Sequence, residues 1–126
     1  MEVKIFYGFH GKEVSVDDLI GGMEGWREIV ESLVNDLVDM GWDRELFQIK
    51  EKFGGLRFYA GQCTDEMYDR IREAEKQSLK TCMNCGKPGA PTGPGWILTL
   101  CEEHKVKLGK NDELLDFDSD SDSAAV

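Results

Sequence analysis

The sequence predicts an α+β fold in which an antiparallel sheet is covered by two helices and followed by a small cysteine-rich module. Three observations support this prediction. Apolar residues recur every three or four positions between 26 and 38, as on one side of a helix. Two runs of alternating apolar and polar residues flank a glycine pair, as in a β-hairpin. Residues 81–104 hold three of the four cysteines and one of the two histidines.

Length and composition limit the class of protein. The chain of 126 residues has the length of one domain, or of a small domain with an appended module. Its 40% hydrophobic and 32% charged residues are typical of soluble globular proteins. It has no apolar run long enough to span a membrane and no basic start followed by an apolar core, as a signal peptide would have. We therefore expect a cytoplasmic protein without membrane contact, in which paired cysteines bind metal more often than they form disulfides.

The chain is predicted to have three parts, the last of which differs from the others in charge. We expect an α+β body at 1–80, a finger at 81–110 packed on the body, and a disordered acidic tail at 111–126. The tail has six acids and no base, which leaves 19 acids and 15 bases in the remainder. The net charge of the remainder is therefore −4, against −10 for the whole chain. This mildly acidic body disfavours broad, non-specific binding to nucleic acid.

The N-terminal segment predicts two short strands and a helical turn. Residues 2–7 alternate between apolar and polar side chains, which indicates a strand, and residues 12–14 form a short return strand after a turn. Ser15, with Asp18 three residues later, is typical of a helix start, and the following glycine pair would end that turn.

Two longer helices are predicted. The first spans residues 23–40 and ends at Gly41, because its apolar residues share one side. These residues are Trp26, Ile29, Val30, Leu33, Val34, Leu37 and Val38. The second spans residues 64–80, where Thr64 can cap the first turn and two acids follow it. Its apolar side consists of Met67, Ile71 and Ala74, with Leu79 as a further candidate.

Residues 46–60 predict a β-hairpin whose two-residue turn is Gly54-Gly55. This turn would place Lys52 opposite Arg57 on the paired strand. The other pairs would be Phe53 with Leu56, Lys50 with Tyr59, and Ile49 with Ala60.

The alternation in the hairpin predicts one apolar and one polar face. The apolar face would cover the helices and consist of Phe47, Ile49, Phe53, Leu56 and Phe58. The polar face would consist of Gln48, Lys50, Lys52, Arg57 and Tyr59. Glu51 falls on the apolar face, so we expect either that it lies at the edge or that a β-bulge shifts the register.

The segment 81–104 contains Cys82-x2-Cys85, then fifteen residues, then Cys101-x2-His104. Zinc takes four ligands in a tetrahedron, and thiolate sulfur and imidazole nitrogen suit it. A knuckle, a hairpin and a helix that carries the second ligand pair resemble the treble-clef class of zinc fingers. Buried thiols or disulfides beside a surface histidine are the alternative, and the paired spacing favours zinc.

Four protein ligands leave no open coordination position, so we expect one zinc ion per chain with a structural role. Without the metal, we expect the finger to unravel while the body survives. Cys63 is predicted to be a buried thiol; it could replace His104 as the fourth ligand, but its spacing does not support this. His10 is predicted to lie in a surface turn. With no phosphate-binding glycine motif and no catalytic group of residues in view, we expect no enzymatic activity.

Three features could bind a partner. One is the glycine-rich loop GAPTGPGW at 89–96, next to the metal site, which could also be a plain connector. The polar hairpin face carries basic residues beside an aromatic ring, which could hold a phosphate or carboxylate and stack a base, or could simply face solvent. Its candidate binding residues are Lys50, Lys52, Arg57 and Tyr59. The tail sequence ELLDFDSDSD at 113–122 interleaves acids with apolar residues, as in a docking peptide or a solubilising tail.

Three stretches together carry a resemblance: KEKFGGLRFY at 50–59, TCMNCGKPG at 81–89 and WILTLCEEH at 96–104. They resemble a family of small bacterial and phage proteins with an FGGLRFY hairpin and a C-terminal Cys-x2-Cys…Leu-Cys-x2-His finger. The resemblance covers about residues 25–105. It implies a phage or mobile-element setting, and hence a protein that inhibits or modulates a host factor.

Two functional hypotheses follow. The first is a non-enzymatic, zinc-stabilised binding protein, encoded by a phage, that inhibits or modulates a host defence factor in the host cytoplasm. Its partner would be a host or phage protein. The alternative is a nucleic-acid- or nucleotide-binding or processing protein that uses the basic hairpin face.

Overall fold

A computed structural model describes residues 3–93 and 97–105. Within these ranges the chain is α+β, as predicted. The elements in chain order are β1 (Ile5–Tyr7), β2 (Lys12–Val14), α1 (Val16–Leu19), a 3₁₀ turn (Glu24–Trp26), α2 (Arg27–Asp39), β3 (Glu45–Lys52), β4 (Gly55–Ala60), α3 (Asp65–Ser78), β5 (Ala90–Thr92) and β6 (Leu98–Leu100). The predicted acidic tail lies outside the described residues. None of the helices in the described ranges is long and apolar enough to cross a membrane.

Strands β1 to β4 form one sheet in the order β2-β1-β3-β4, and β5 and β6 form a second, antiparallel pair. The sheet was predicted to be antiparallel, and this holds for β1 with β2 and for β3 with β4. β1 and β3, however, are parallel. A parallel pair needs a long crossover connection, and the helical segment between β2 and β3 provides one.

One core joins the sheet to the two long helices. α2 and α3 lie against each other, and Arg70 of α3 donates a hydrogen bond of 2.7 Å to the Asp36 carboxylate of α2. Their apolar stripes belong to the same buried cluster as the inner side of the sheet. That cluster includes Val30, Leu33 and Leu37 of α2, Met67, Ile71 and Ala74 of α3, and Leu46, Ile49, Leu56 and Phe58 of the sheet.

The predicted helix at 23–40 begins later and differently from the prediction. Its first turn is a 3₁₀ turn, and the α-helix starts at Arg27. The backbone N–H of Gly25 donates to the Met83 carbonyl at 2.8 Å. The indole N–H of Trp26, which is fully buried, donates to the Thr81 carbonyl at 2.8 Å. The first N–H groups of a helix have no partner inside it, and here the N–H of Gly25 finds one in a distant segment.

The second predicted helix has the expected cap, since the Thr64 hydroxyl accepts a hydrogen bond from the Met67 N–H at 3.2 Å. α3 also covers the outer edge of β4. The Leu56 N–H donates to the Ser78 hydroxyl at 2.9 Å, and the Phe58 N–H donates to the Glu75 carboxylate at 3.1 Å. These side chains satisfy the exposed N–H groups of an edge strand, which would otherwise be open to pairing with another chain.

The predicted turn of the hairpin is wrong by one residue. Lys52 pairs with Gly55, so the two turn residues are Phe53 and Gly54. Both have positive φ, at 54° and 83°, as a type I′ turn requires. The local sequence allows either turn, and the finger selects this one. The Thr99 hydroxyl donates to the Gly54 carbonyl at 2.6 Å, and a Cβ at Gly54 would lie 3.2 Å from the Thr99 Oγ1.

Moving the turn by one residue shifts the strand pairing by two, so each residue keeps its face and changes its neighbour. Lys50 is now opposite Arg57, and Gln48 is opposite Tyr59. The predicted polar face therefore keeps its members. Glu51 does lie near the tip of the hairpin, where its carboxylate accepts a hydrogen bond from the turn at 2.8 Å.

The predicted apolar face is wrong at two positions. Phe47 and Phe53 are 54% and 66% exposed, while Leu46 is fully buried in the core. The reason at Phe47 is a register shift between Leu46 and Gln48, which is a β-bulge. A bulge places two successive side chains on the same side of a strand, so Phe47 and Gln48 both face solvent. Phe53 is exposed because it belongs to the turn.

The contact between the hairpin tip and the finger gives a first prediction. Thr99 is fully buried, and its hydroxyl donates to Gly54 across 45 positions of sequence. Thr99→Val removes the donor and leaves the carbonyl unpaired, so we expect a loss of about 1–3 kcal/mol in the free energy of unfolding. Urea denaturation of the metal-loaded protein measures it. Thr92→Val, which makes the same change on β5 at a half-exposed position, is the control; equal losses from both variants would contradict the prediction.

Candidate metal centre

The four predicted ligands come together at one point. Cys82 and Cys85 lie in the turn after α3, Cys101 directly follows β6, and His104 lies in the helical turn at 102–105. Their ligand atoms all lie within 4.8 Å of one another. The arrangement is compatible with a single metal site.

The first ligand pair is held by a closed turn of the backbone. Thr81 and Pro88 form an isolated antiparallel bridge across its base. The Cys82 N–H donates to the Lys87 carbonyl at 2.7 Å, and the Gly86 N–H donates to the Cys82 carbonyl at 2.9 Å. These bonds fold the segment back on itself, which brings both sulfurs to the same side.

The second pair is positioned by a hairpin and a helical turn. β5 and β6 pair antiparallel, with Ala90 opposite Leu100, and this delivers the chain to Cys101. The Lys105 N–H then donates to the Cys101 carbonyl at 2.8 Å, which is a helical hydrogen bond. Cys101 and His104 are thus three residues apart on one helical turn and share a face. The predicted sequence of knuckle, hairpin and helix is present.

The distances fit tetrahedral coordination. The Cys85 and Cys101 sulfurs are 3.6 Å apart. The His104 Nδ1 lies 3.4 Å from the Cys82 sulfur and 3.2 Å from the Cys101 sulfur. With metal–sulfur and metal–nitrogen bonds typical of zinc, a regular tetrahedron places two sulfurs about 3.8 Å apart and a sulfur about 3.6 Å from a nitrogen. These three distances are within a few tenths of an ångström of those values, and His104 would bind through Nδ1.

Backbone N–H groups stabilise the thiolate form of two of the cysteines. Burial alone would raise the pKa of Cys82, but the N–H groups of Cys101, Cys85 and Asn84 directed at its sulfur outweigh burial and lower that pKa. The N–H of His104 likewise lowers the pKa of Cys101. Thiolates, not thiols, are the metal ligands, so these N–H groups favour metal binding.

The surroundings of Cys85 favour its neutral thiol when no cation is bound. The Lys87 N–H lowers its pKa, yet burial and the neighbouring sulfurs of Cys101 and Cys82 together raise that pKa above its ordinary value. Three anionic sulfurs so close to one another repel each other. A divalent cation at their centre would reverse this effect and make the charged form of all three favourable.

The metal centre is joined directly to the body of the protein. Met83, between the first two ligands, accepts the Gly25 N–H and donates to the Thr99 carbonyl at 3.0 Å. Cys82 and Cys101 are 0% and 5% exposed and belong to the same core as the sheet and helices. The finger is therefore part of the common core, and the start of α2 and the hairpin tip both rest on it.

The remaining candidates lie elsewhere. Cys63 is half-buried and lies outside the group of four, and burial raises the pKa of its thiol. His10 is exposed in the turn between β1 and β2, as predicted. Gly25, Trp26 and Thr99 support the site, although no local motif of the sequence pointed to them. The only signal was a glycine beside a tryptophan at the start of an otherwise regular helix.

Comparison of the chain with models of protein families, with curated proteins and with solved structures found no match. The resemblance to the bacterial and phage family with the FGGLRFY hairpin therefore stays a prediction.

Proposed function

We propose that this chain is a non-enzymatic binding protein, held together by one structural zinc ion, that binds its partner through the solvent side of its hairpin. The observation that carries the proposal is a sheet face that combines unpaired cations with exposed aromatic rings in an otherwise acidic protein. The metal would be enclosed by four protein ligands, which leaves no place for a reacting water.

Zinc suits the ligands better than other common metals. Thiolate sulfur disfavours magnesium and calcium, which prefer oxygen, and three sulfurs with one imidazole are a frequent structural zinc set. Cys82, Cys85, Cys101 and His104 would hold it. The ion would supply a cross-link between the turn after α3 and the segment after β6, and this chain's own residues would do the binding elsewhere.

We call the binding surface the open face; it is the side of β3 and β4 opposite the helices. Its members are Phe47, Gln48, Lys50, Lys52, Arg57 and Tyr59. Phe47 and Tyr59 are 54% and 42% exposed. Exposed aromatic residues beside basic ones are typical of surfaces that bind partners, since rings and guanidinium groups dominate interface energetics.

The cations of the open face have no acidic partners among the described residues. Some surface lysines and arginines elsewhere in that part of the chain do pair with acids, as Arg70 does with Asp36. Lys50 and Arg57 instead lie opposite each other on paired strands, and Lys52 lies 5.6 Å from the ring centre of Phe53. With 25 acids against 15 bases in the chain, a cluster of three unpaired cations favours a negatively charged partner.

The partner we favour is a protein that presents acidic and apolar side chains together. The family resemblance suggests that it is a host or phage protein and that the chain acts in the host cytoplasm as an inhibitor or modulator of a host factor, including one of host defence.

A nucleic acid or nucleotide is the second candidate, and one feature favours it. Tyr59 lies beside Gln48 and near two cations, so it could stack a base while Lys50 and Arg57 hold a phosphate. The net charge of −10 weighs against it, because the protein as a whole repels a polyanion.

Reversing the charges of the open face tests both candidates. In the variant Lys50→Glu, Lys52→Glu, Arg57→Glu, we expect capture of the partner from bacterial lysate to be lost while folding and metal content are kept. The control is Lys12→Glu, Lys76→Glu, Lys80→Glu, which makes the same charge change at three exposed lysines outside the open face. Mass spectrometry identifies the captured protein.

The same pair of variants separates the two candidates. Capture of one protein by the wild type and the control, but not by the open-face variant, supports the proposal. Equal capture by the open-face variant would contradict it. Titration with a single-stranded oligonucleotide is expected to show no binding; binding by the wild type that the open-face variant loses would put the nucleic-acid candidate in its place.

A further inference from the structure

The open face is a solvent-exposed part of the described sheet. The helices cover its other side, and α3 covers the β4 edge. The β-bulge brings Phe47 out of the core, and Phe6 of β1, 39% exposed, extends the same surface. Exposed aromatic rings on a sheet are stabilised when another surface covers them and removes them from water.

The basic end of the open face is also the end nearest the metal centre. Lys52 lies next to the hairpin turn, and the turn is bound to Thr99 of β6. Lys105 is the last described residue. Given the rise per residue of a strand and of a helix, it lies at most about 13 Å along the chain from Thr99. The polypeptide beyond Lys105 therefore starts close to the cations.

The chain beyond Lys105 contains a segment of matching chemistry. Residues 112–118 read DELLDFD and carry four acids and three apolar residues, with no base. The seven residues from Lys105 to Asp112 can span up to about 25 Å, which is enough to reach the hairpin. The segment itself, if extended, is about as long as the strand from Phe47 to Lys52.

We propose that residues 112–118 of this chain dock on its own open face. Leu114, Leu115 and Phe117 would cover Phe47 and Tyr59. The acids would lie opposite Lys50, Lys52 and Arg57. The inference rests on the proposed function in one respect, namely that both use the open face. The test of tail docking needs no external partner, so tail docking and the proposed function can fail separately.

Docking of this kind makes the tail a competitor of the partner. An attached segment acts at an effective concentration in the millimolar range, so even a weak contact keeps the face largely occupied. A partner with similar acidic and apolar chemistry would have to displace the tail, and removal of the tail would raise the partner's apparent affinity. We expect removal of the tail to change the stability of the fold little, because its acidic, low-complexity sequence cannot bury a core.

Nuclear magnetic resonance of zinc-loaded, ¹⁵N-labelled protein tests this. We expect the amide signals of residues 46–59 to differ between the full chain and a chain ending at Lys110. Addition of the peptide 111–126 to the shortened chain should restore the full-chain positions, with a dissociation constant of about 0.1–1 mM. High salt should reduce the effect, because exposed charges are screened.

Two variants make the test specific. In the full chain, Lys50→Glu, Lys52→Glu, Arg57→Glu should give the signals of the shortened chain at positions remote from the substitutions, and the control at Lys12, Lys76 and Lys80 should not. The peptide with Leu114→Ser, Leu115→Ser, Phe117→Ser keeps all six acids and should bind at least about tenfold more weakly, since apolar burial is lost.

Three results would overturn the proposal. The first is identical signals at 46–59 in the full and shortened chains. The second is equal binding of the serine-substituted peptide, which would mean charge attraction without docking. The third is tighter binding of a single-stranded oligonucleotide than of the tail peptide, which would make nucleic acid the occupant. Zinc content and melting temperature measured on each variant show that the fold is kept.

Discussion

Removal of the metal is expected to unfold this protein rather than its finger alone. Coordination by ligands of this type contributes on the order of 10 kcal/mol of folding free energy at neutral pH. The whole stability of a small domain is about 5–15 kcal/mol. The sequence alone led us to expect that the body would survive, but Cys82, Met83, Leu100 and Cys101 belong to the common core. Loss of the metal should therefore unfold the body as well, through the start of α2 and the hairpin tip, which both rest on the finger.

Urea denaturation with and without a strong chelator measures the effect of the metal on the free energy of unfolding. Amide signals of α2 and β3 report whether the loss reaches the body. Well-ordered α2 and β3 in the chelated protein would show that the finger unfolds independently, contrary to this expectation.

Elemental analysis of the freshly purified protein identifies the ion and its ligands. We expect about one equivalent of zinc per chain, which Cys82→Ser should greatly reduce. Cys63→Ser is the control and should retain zinc, because Cys63 lies outside the ligand group. Less than roughly half an equivalent in the wild type would refute the zinc assignment. An equal loss from Cys63→Ser would mean that the fourth ligand is wrong.

The second large effect is expected from one methyl group at Gly25. A Cβ at this position would lie 2.1 Å from the Cys82 carbonyl oxygen and 2.6 and 2.7 Å from the backbone nitrogens of Gly86 and Cys85. All three atoms belong to the backbone, so no side chain can rotate away. Gly25→Ala must push the turn that carries Cys82 and Cys85, the ligand turn, away from the start of the helix. This movement would break the hydrogen bond between the Gly25 N–H and the Met83 carbonyl. We expect a loss of about 3–5 kcal/mol in the free energy of unfolding, together with weaker zinc binding.

Gly21→Ala is the matched control. A Cβ at Gly21 has nothing within 4 Å, and its backbone does not need the left-handed conformation. We expect a change within about 0.5 kcal/mol. Competition with a chelator of known affinity measures zinc binding in both variants. If Gly25→Ala matches Gly21→Ala in stability and zinc affinity, the close packing of the ligand turn on the helix is refuted.

The sequence by itself determined those features that depend on neighbours a few residues away. The apolar stripes of α2 and α3 follow from a repeat of three and four, and the Thr64 cap follows from one hydroxyl three residues before an N–H group. The four ligands could be predicted because each pair lies within one turn of backbone. The α+β class follows from the combination of these elements.

Only the tertiary structure decided how these elements meet. In FGG either pair of residues can form the turn, and Thr99, 45 positions later, selects Phe53-Gly54. The bulge that exposes Phe47 places Leu46 in the core, and alternation alone could not show this. Gly25 looked like an ordinary glycine in a helix until the ligand turn was found packed against it. Local patterns record interactions between near neighbours, whereas register, exposure and close approach are set by contacts between segments far apart in sequence.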